Sequence, residues 1–176
     1  MFAPCLRQTA HSGELINVLN ELTTIEGIFY RAIDPAYREL ALAGSRNPGR
    51  YSSAEQPTLY LSSSPEGVEA AMQAHKSNRS ADLEIIRLRV HAVRVFDLRN
   101  ADALSAAGID LRDAVAPWQE IVAAGGTPSS WRVRQQLETL GAAGLIDPSR
   151  KAPGLWHLVL FSWNRGVGQP EVEIVR

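Results

Sequence analysis

LEIIRLRVHAVRVFDL, residues 83–98, is the clearest β-strand pattern in the chain. Ile86, Leu88 and Val90 alternate with arginine and histidine side chains. This alternation is typical of a strand with one buried side and one side facing water. The alternation changes phase near Ala92, which predicts a β-bulge or a tight bend at that point. The pattern therefore indicates a fold built on a sheet.

Shorter segments on both sides of this strand predict a mixture of strands and helices. The helices do not follow each strand in turn, so a regular parallel sheet is not expected. We predict a single α+β domain with a mixed, largely antiparallel sheet and surrounding helices. The predicted strands are 27–33, 58–63, 144–147, 155–163 and an edge strand at 171–175. The predicted helices are 13–25, 35–42, 65–75, several short ones within 97–124, and one from Thr127-Pro128 to about Leu140.

Composition restricts the function classes. The chain has 176 residues and a formal net charge of -1, with 18 Lys+Arg and 19 Asp+Glu. A direct nucleic-acid-binding role is not expected, because such domains need a basic surface. The longest apolar runs are too short to span a bilayer, and the N-terminal segment lacks a secretory apolar region. These features favour a cytoplasmic protein with no membrane partner.

The sequence lacks the motifs of several common classes of enzyme and metal site. The single cysteine, Cys5, excludes an internal disulfide and a multi-cysteine zinc site. The histidines lack paired ligand spacing, so no metal is expected. The serine-hydrolase, Walker and dinucleotide-fingerprint motifs are also missing.

The remaining candidates are Arg, Tyr and Ser side chains at strand ends and in glycine-rich turns. Arg31 lies in an otherwise apolar strand, where it needs an ion-pair partner or a cavity. Arg50 follows a glycine in NPGRYSS, where loop amides and the guanidinium could surround an anion. Tyr60 lies within a strand, and Ser149 lies in a turn after Asp147-Pro148. Taken singly, each also fits a structural role. Together they indicate a phosphate site built on arginines, which bind phosphate oxygens in bidentate geometry.

The order of these segments resembles the RES domain family, the toxin partners of Xre-type antitoxins. The segments are FYRAI, GSRNPGRYSS, TLYLSSSPEGVEAA, the Thr127-Pro128 helix and GLIDPSRKAPGLWHLVLF. The similarity runs from about residue 27 to residue 164. We expect residues 27–176 to form the RES-like domain and residues 1–26 a helical extension packed on it.

The resemblance implies a compact fold similar to ADP-ribosyltransferases and a protein that consumes NAD⁺ as a substrate. It also implies an antitoxin partner and a homodimer. The four tryptophans of the C-terminal half fit either an interface or a core. Carried over by position, the catalytic residues are Arg31, Glu69 and Ser149, and the NAD⁺-binding residues are Tyr30, Arg31, Arg50, Tyr51, Tyr60 and Ser149.

The sequence differs from the family pattern at the position of the family glutamate. The family usually places it eleven residues after the strand tyrosine, and that position here is Ala71. Glu69 is the nearest candidate on the same helix, but two residues turn a helix by about 200°, so it points away from the side of Ala71. Glu120 or Glu138 could also reach in from the C-terminal half.

Two functions follow from this pattern. The first is a toxin that cleaves the nicotinamide–ribose bond of NAD⁺ by hydrolysis or phosphorolysis. The second is a catalytically weakened RES-like domain that binds NAD⁺ or a protein. Transfer to a protein or nucleic-acid acceptor is a further alternative.

Overall fold

The central strand of the fold is β3 (Glu84–Asp97), which pairs with three other strands. The computed structural model describes residues 20–45, 47–73 and 83–175. The other strands are β1 (Leu22–Ile33), β2 (Leu59–Ser62), β4 (Gly144–Pro148), β5 (Trp156–Leu160) and β6 (Glu171–Ile174). The helices are a 3-10 helix (Pro35–Leu40), α1 (Pro65–Gln73), α2 (Ala101–Ala107), α3 (Leu111–Val115), α4 (Gln119–Ala123) and α5 (Ser129–Thr139).

The strands form one sheet that closes on itself. Their order is β1-β2-β5-β4-β3-β6, and β1 also pairs with β3, so the sheet curls into a barrel-like ring. Only β3 and β4 run parallel among the described pairs; the other pairs are antiparallel. The predicted α+β domain with a mixed, largely antiparallel sheet is confirmed, and β6 lies at the edge as expected.

The phase change within β3 is a β-bulge. The pairing of β1 with β3 shifts between Thr23, opposite Val95, and Ile25, opposite Ala92. Arg94 in the bulge has a φ of 56°, a left-handed conformation that is uncommon for a residue other than glycine. The bend or bulge predicted from the alternation is therefore confirmed.

The predicted helix at residues 13–25 is wrong at its C-terminal end, although residue 20 is helical. Residues 22–25 belong to β1, and Leu22 pairs with Phe96 of β3. The pairing of β1 along the whole of β3 stabilises the strand more than the weak helical spacing of its apolar residues favours a helix. The boundary expected after residue 26 therefore falls inside a strand. Residues 1–19 of the expected extension lie outside the described residues.

Helix starts follow the predicted capping chemistry in part. The Ser64 hydroxyl accepts a hydrogen bond from the Gly67 amide at 3.2 Å, which caps α1 as expected. For α5 the capping position is Pro128 rather than Thr127, and Pro128 offers no side-chain acceptor. The predicted end of α1 near His75 lies outside the described residues.

Alternation along β4 and β5 divides the core into two clusters, because neighbouring residues of a strand point to opposite sides of the sheet. Leu145 and Val159 pack in the cluster that includes residues of α2, α3 and α5. Ile146 and Leu158 pack in the other cluster, with residues of β1, β2 and β3. Within the described ranges, no helix is long and apolar enough to cross a membrane.

Candidate active-site cavity

A cavity of about 490 Å³ opens beside the sheet. Its wall is formed by β1, the loop that follows the 3-10 helix, β2, α1 and the turn after β4. The residues that line it are Tyr30, Arg31, Ala32, Gly44, Ser45, Asn47, Pro48, Gly49, Arg50, Tyr60, Leu61, Ser62, Val68, Ala71, Met72, Trp118, Asp147, Pro148, Ser149, Arg150, Lys151 and His157.

Most residues predicted from the sequence meet in this cavity. Tyr30, Arg31, Arg50, Tyr60 and Ser149 all line it, although they come from segments far apart in the chain. The cavity also contains Arg150 and Lys151, so its cationic side chains outnumber its acidic ones. This charge balance suits an anionic ligand.

Tyr51 lies behind the cavity wall. Its side chain is fully buried, and its hydroxyl lies 3.0 Å from Asp147 Oδ1 and 3.3 Å from the Ala114 carbonyl oxygen. Burial is the main reason that the pKa of Tyr51 lies well above its ordinary value, so the phenol stays protonated and donates. Tyr51 therefore supports Asp147 and offers no surface to a ligand in this structure.

Helix α1 presents small and apolar side chains to the cavity. Val68, Ala71 and Met72 line it, as their spacing on one side of a helix allows. Glu69 is exposed and is not among the described lining residues. Its placement agrees with the helical geometry that turns it away from Ala71.

The two acids considered as substitutes are also outside the described cavity wall. Glu138 accepts a hydrogen bond from Arg134 Nη2 at 3.1 Å, one helical turn earlier in α5. Glu120 is exposed on α4. Neither acid lines the cavity.

Arg50 combines a structural contact with a place in the cavity. Its Nη1 donates to the carbonyl oxygens of Ala114 and Ala116, at 3.1 and 2.8 Å. Its Nε and Nη2 have no hydrogen-bond partner among the described residues. Burial lowers the pKa of Arg50, and nearby Arg150 lowers it further, yet an arginine keeps its charge at neutral pH. The Arg50 guanidinium is thus held against the C-terminal end of α3, while the residue lines the cavity.

The turn that carries Arg50 is held by helix α5. The Ser130 hydroxyl donates to the Arg50 carbonyl oxygen at 2.5 Å, and the Trp131 indole donates to the Gly49 carbonyl oxygen at 2.8 Å. The buried Arg134 donates to the Tyr51 carbonyl oxygen at 2.8 Å. These contacts fix the turn even though it has little regular structure.

Arg31 and Ser149 line the same cavity from separate segments of the chain. Arg31 is partly buried in β1, and its Nη1 donates to the Ala41 carbonyl oxygen. Ser149 follows β4, and its hydroxyl accepts from the Ala152 amide at 3.2 Å. Both side chains are positioned by neighbouring backbone, which limits the reorganisation needed to bind a ligand.

Comparisons with known proteins show the family and the fold of the chain. The model of the RES domain family matches residues 28–174. The chain belongs to the RES domain family. No curated protein matches the sequence. Among solved structures, the RES domain resembles a chain in the crystal structure of the M. tuberculosis MbcT–MbcA toxin–antitoxin complex, with a TM-score of 0.59 and 16% identity over 93% of this chain and 90% of that chain.

Sequence reasoning missed the acidic residue of the RES domain cavity. Asp147 was interpreted as part of an ordinary turn, but it is partly buried, and burial raises its pKa to about 6. The bond from Tyr51 and the positive charges of Arg50 and Arg150 act in the opposite direction. The signal was present in GLIDPSR, where an acid ends an apolar strand beside a predicted site residue.

A serine and a histidine also meet in the RES domain cavity. Ser62 Oγ lies 3.0 Å from His157 Nδ1, and Ser62, His157 and Asp147 are register neighbours across β2, β5 and β4. Burial lowers the pKa of His157, so its imidazole is neutral at pH 7. In the described part of the chain, no three His, Cys, Asp or Glu side chains are grouped to hold a metal ion.

Proposed function

We propose that this RES domain is the toxin of a toxin–antitoxin pair and that it degrades NAD⁺ in the cavity. The reaction is cleavage of the nicotinamide–ribose bond, with water or phosphate as the acceptor. The observation that carries this proposal is the convergence of Tyr30, Arg31, Arg50, Tyr60 and Ser149 on one cavity of about 490 Å³. A cavity of this size is in the range of small-molecule and cofactor sites.

The arginines are suited to the pyrophosphate of NAD⁺. A guanidinium binds phosphate oxygens through two parallel hydrogen bonds, and its charge does not depend on pH in the physiological range. Arg31 of β1, Arg50 of the loop before β2 and Arg150 of the turn after β4 all line the cavity. We assign Arg31 and Arg50 to the pyrophosphate.

The remaining side chains are suited to the rings of the dinucleotide. Tyr30 is an aromatic residue of β1 that lines the cavity, and Trp118 contributes an indole from the segment between α3 and α4. Tyr60 is tied by its hydroxyl to the Tyr51 amide at 2.9 Å, so it presents its ring in a fixed orientation. We assign the aromatic residues to stacking and the Ser149 hydroxyl to a hydrogen bond with the nicotinamide or the ribose.

The partner assignment rests on the family and on the fold. A solved structure that this chain resembles is a toxin–antitoxin complex, and we propose a protein antitoxin of the Xre type for this chain as well. The homodimer and the cytoplasmic location stay predictions. All four tryptophans are partly buried, and Trp131 and Trp163 donate to backbone carbonyls of their own chain.

A domain that binds NAD⁺ without cleaving it is the second candidate. It is favoured by Ala71, which places a methyl group where the family usually has a glutamate. The two functions differ in one measurable quantity. The first releases nicotinamide from NAD⁺, and the second binds NAD⁺ and leaves it intact.

The test is nicotinamide release by the purified protein, with and without phosphate, for the unmodified chain and for Arg31→Gln. We expect Arg31→Gln to weaken NAD⁺ binding by about 10- to 150-fold, because a hydrogen bond to a charged group contributes about 1.5–3 kcal/mol. Binding is measured by isothermal titration calorimetry, and nicotinamide is measured by chromatography.

Arg89→Gln is the matched control. Arg89 also lies on a strand, but its exposed side chain pairs with Glu173 outside the cavity. The control variant should bind and cleave NAD⁺ like the unmodified protein. Equal effects of the two substitutions, or NAD⁺ binding without nicotinamide release by the unmodified protein, would contradict the proposed degradation of NAD⁺ in this cavity.

A further inference from the structure

Asp147 is the one acidic side chain among the described residues that line the cavity. It lies near the end of β4, where its register neighbour in β5 is His157. It precedes the turn that carries Ser149 and Arg150. The strand and the turn thus hold a carboxylate on the same wall as the predicted site serine.

One carboxylate oxygen is fixed and the other is open to a ligand. Oδ1 accepts a hydrogen bond from the Tyr51 hydroxyl at 3.0 Å. Oδ2 accepts no hydrogen bond from any residue that the structure describes, and it is not one of the fully buried unpaired atoms. The hydrogen bond from Tyr51 orients the carboxylate before a ligand binds. Asp147 therefore loses less side-chain entropy on ligand binding than an exposed acid would lose.

The surroundings of Asp147 are mostly cationic or neutral. Arg50 and Arg150 stabilise its charge, whereas burial disfavours it and raises the pKa to about 6. The group is therefore largely ionised at pH 7.5 and largely protonated at pH 5. The titratable and charged groups that line the cavity around it or contact it are Tyr30 and Arg31 of β1, Arg50 and Tyr51 of the loop, Tyr60 of β2, Arg150 and Lys151 of the turn, and His157 of β5.

Cleavage of a nicotinamide–ribose bond places a specific demand on such a site. The bond between ribose C1′ and the nicotinamide nitrogen breaks, and both electrons leave with the nitrogen. Positive charge then spreads over C1′ and the ring oxygen, as in other glycosyl transfers. An ionised carboxylate beside the ribose stabilises this charge, and no other described acid in the cavity wall offers one.

We propose that Asp147 is the catalytic carboxylate of this cavity, facing the ribose of NAD⁺ through Oδ2. This assignment rests on the proposed function. As the bond breaks, the carboxylate stabilises the positive charge on the ribose. The oxygen of water or of hydrogen phosphate then bonds to C1′, Asp147 takes the proton that the acceptor loses, and the proton passes to solvent. The side chain at Ala71 then needs no charge, since the carboxylate comes from β4 instead of α1.

The test compares kcat and the NAD⁺ affinity of the unmodified protein, Asp147→Asn and the control Glu120→Gln between pH 5 and 8. Asn keeps the size of the side chain and an oxygen that accepts from Tyr51. We expect Asp147→Asn to lower kcat by about 10²–10³-fold, the usual effect of removing a preorganised charge partner, while the Kd for NAD⁺ stays close to that of the unmodified protein. Glu120→Gln removes the same charge from an exposed helix position and should change neither quantity.

The pH profile is a second and independent readout. In the unmodified protein kcat should fall as the pH falls through about 6, because the carboxylate becomes protonated. The residual kcat of Asp147→Asn should lose this dependence. Asp147→Asn should also melt no lower than the unmodified protein at pH 7.5, because it removes an ionised group whose burial is unfavourable.

The outcomes separate this assignment from the proposed function. If the unmodified protein releases nicotinamide and Asp147→Asn has the same kcat, Asp147 is not the catalytic carboxylate, and the NAD⁺-degrading function stands. If the unmodified protein releases no nicotinamide, both proposals fail. If Asp147→Asn does not fold, the pH profile of the unmodified protein tests the assignment instead. A kcat that is constant from pH 8 to 5 overturns it.

Discussion

At the scale of single residues, the site depends on a few buried polar contacts. Tyr51 and Asp147 are 96 residues apart in the chain and meet through one hydrogen bond of 3.0 Å. The bond holds the only described acid of the cavity wall in place. Tyr51 is therefore a positioning residue, which acts on the cavity through Asp147.

Tyr51→Phe tests this role through the pH dependence of the reaction. The hydrogen bond from Tyr51 lowers the pKa of Asp147, so its removal should raise that pKa. The pH at which kcat falls by half should then move upward from about 6. The measurement is kcat for nicotinamide release from pH 5 to 8. A purely structural role for Tyr51 would lower kcat equally at every pH.

Sequence reasoning predicted which residues meet in the cavity better than it predicted their contacts. Arg31, Arg50 and Ser149 were predicted from their places in an apolar strand and in turns together with the family resemblance, and all three line the cavity. The acid of the cavity had a local signal in GLIDPSR, but its hydrogen bond with Tyr51 could not be predicted, because a contact between residues 96 apart leaves no local pattern. The full burial of Tyr51 was missed for the same reason.

At the scale of elements, helix α5 holds the Arg50 turn through side-chain contacts with backbone carbonyls. Ser130 is buried, and its hydroxyl donates to the Arg50 carbonyl oxygen at 2.5 Å. The helix was predicted correctly from the apolar stripe of Val133 and Leu137. Its contact with the turn was not, because a stripe shows which side is buried and not what it packs against.

Ser130→Ala should destabilise the protein by about 1–3 kcal/mol, because it leaves a buried carbonyl oxygen without its donor. In a domain of this size this corresponds to a fall in Tm of roughly 2–4 °C for each kcal/mol. The measurement is thermal unfolding followed by circular dichroism. Ser105→Ala is the control, since Ser105 is exposed on α2 and its loss should leave Tm nearly unchanged. Equal Tm values for the two variants would show that the Ser130 contact does not stabilise the turn.

At the scale of the whole molecule, the closed sheet brings the site together. Pairing of β1 with both β2 and β3 places Arg31 near the wall formed by β4 and its turn. The sequence predicted the strands and the bulge, since each leaves a local pattern of alternation. It did not predict the continuation of β1 back to Leu22, because that extension depends on its partner strand.

The central claim is that NAD⁺ is bound and cleaved in this cavity, and one pair of variants tests it most directly. Ala71 and Ala106 are both exposed helix alanines, but only Ala71 lines the cavity. An indole at residue 71 would occupy much of the ligand space without removing any polar contact. The measurement is the initial rate of nicotinamide release from NAD⁺ by the unmodified protein, Ala71→Trp and Ala106→Trp. The account predicts that Ala71→Trp abolishes release while Ala106→Trp keeps the rate of the unmodified protein, and an unchanged rate in a folded Ala71→Trp would contradict it.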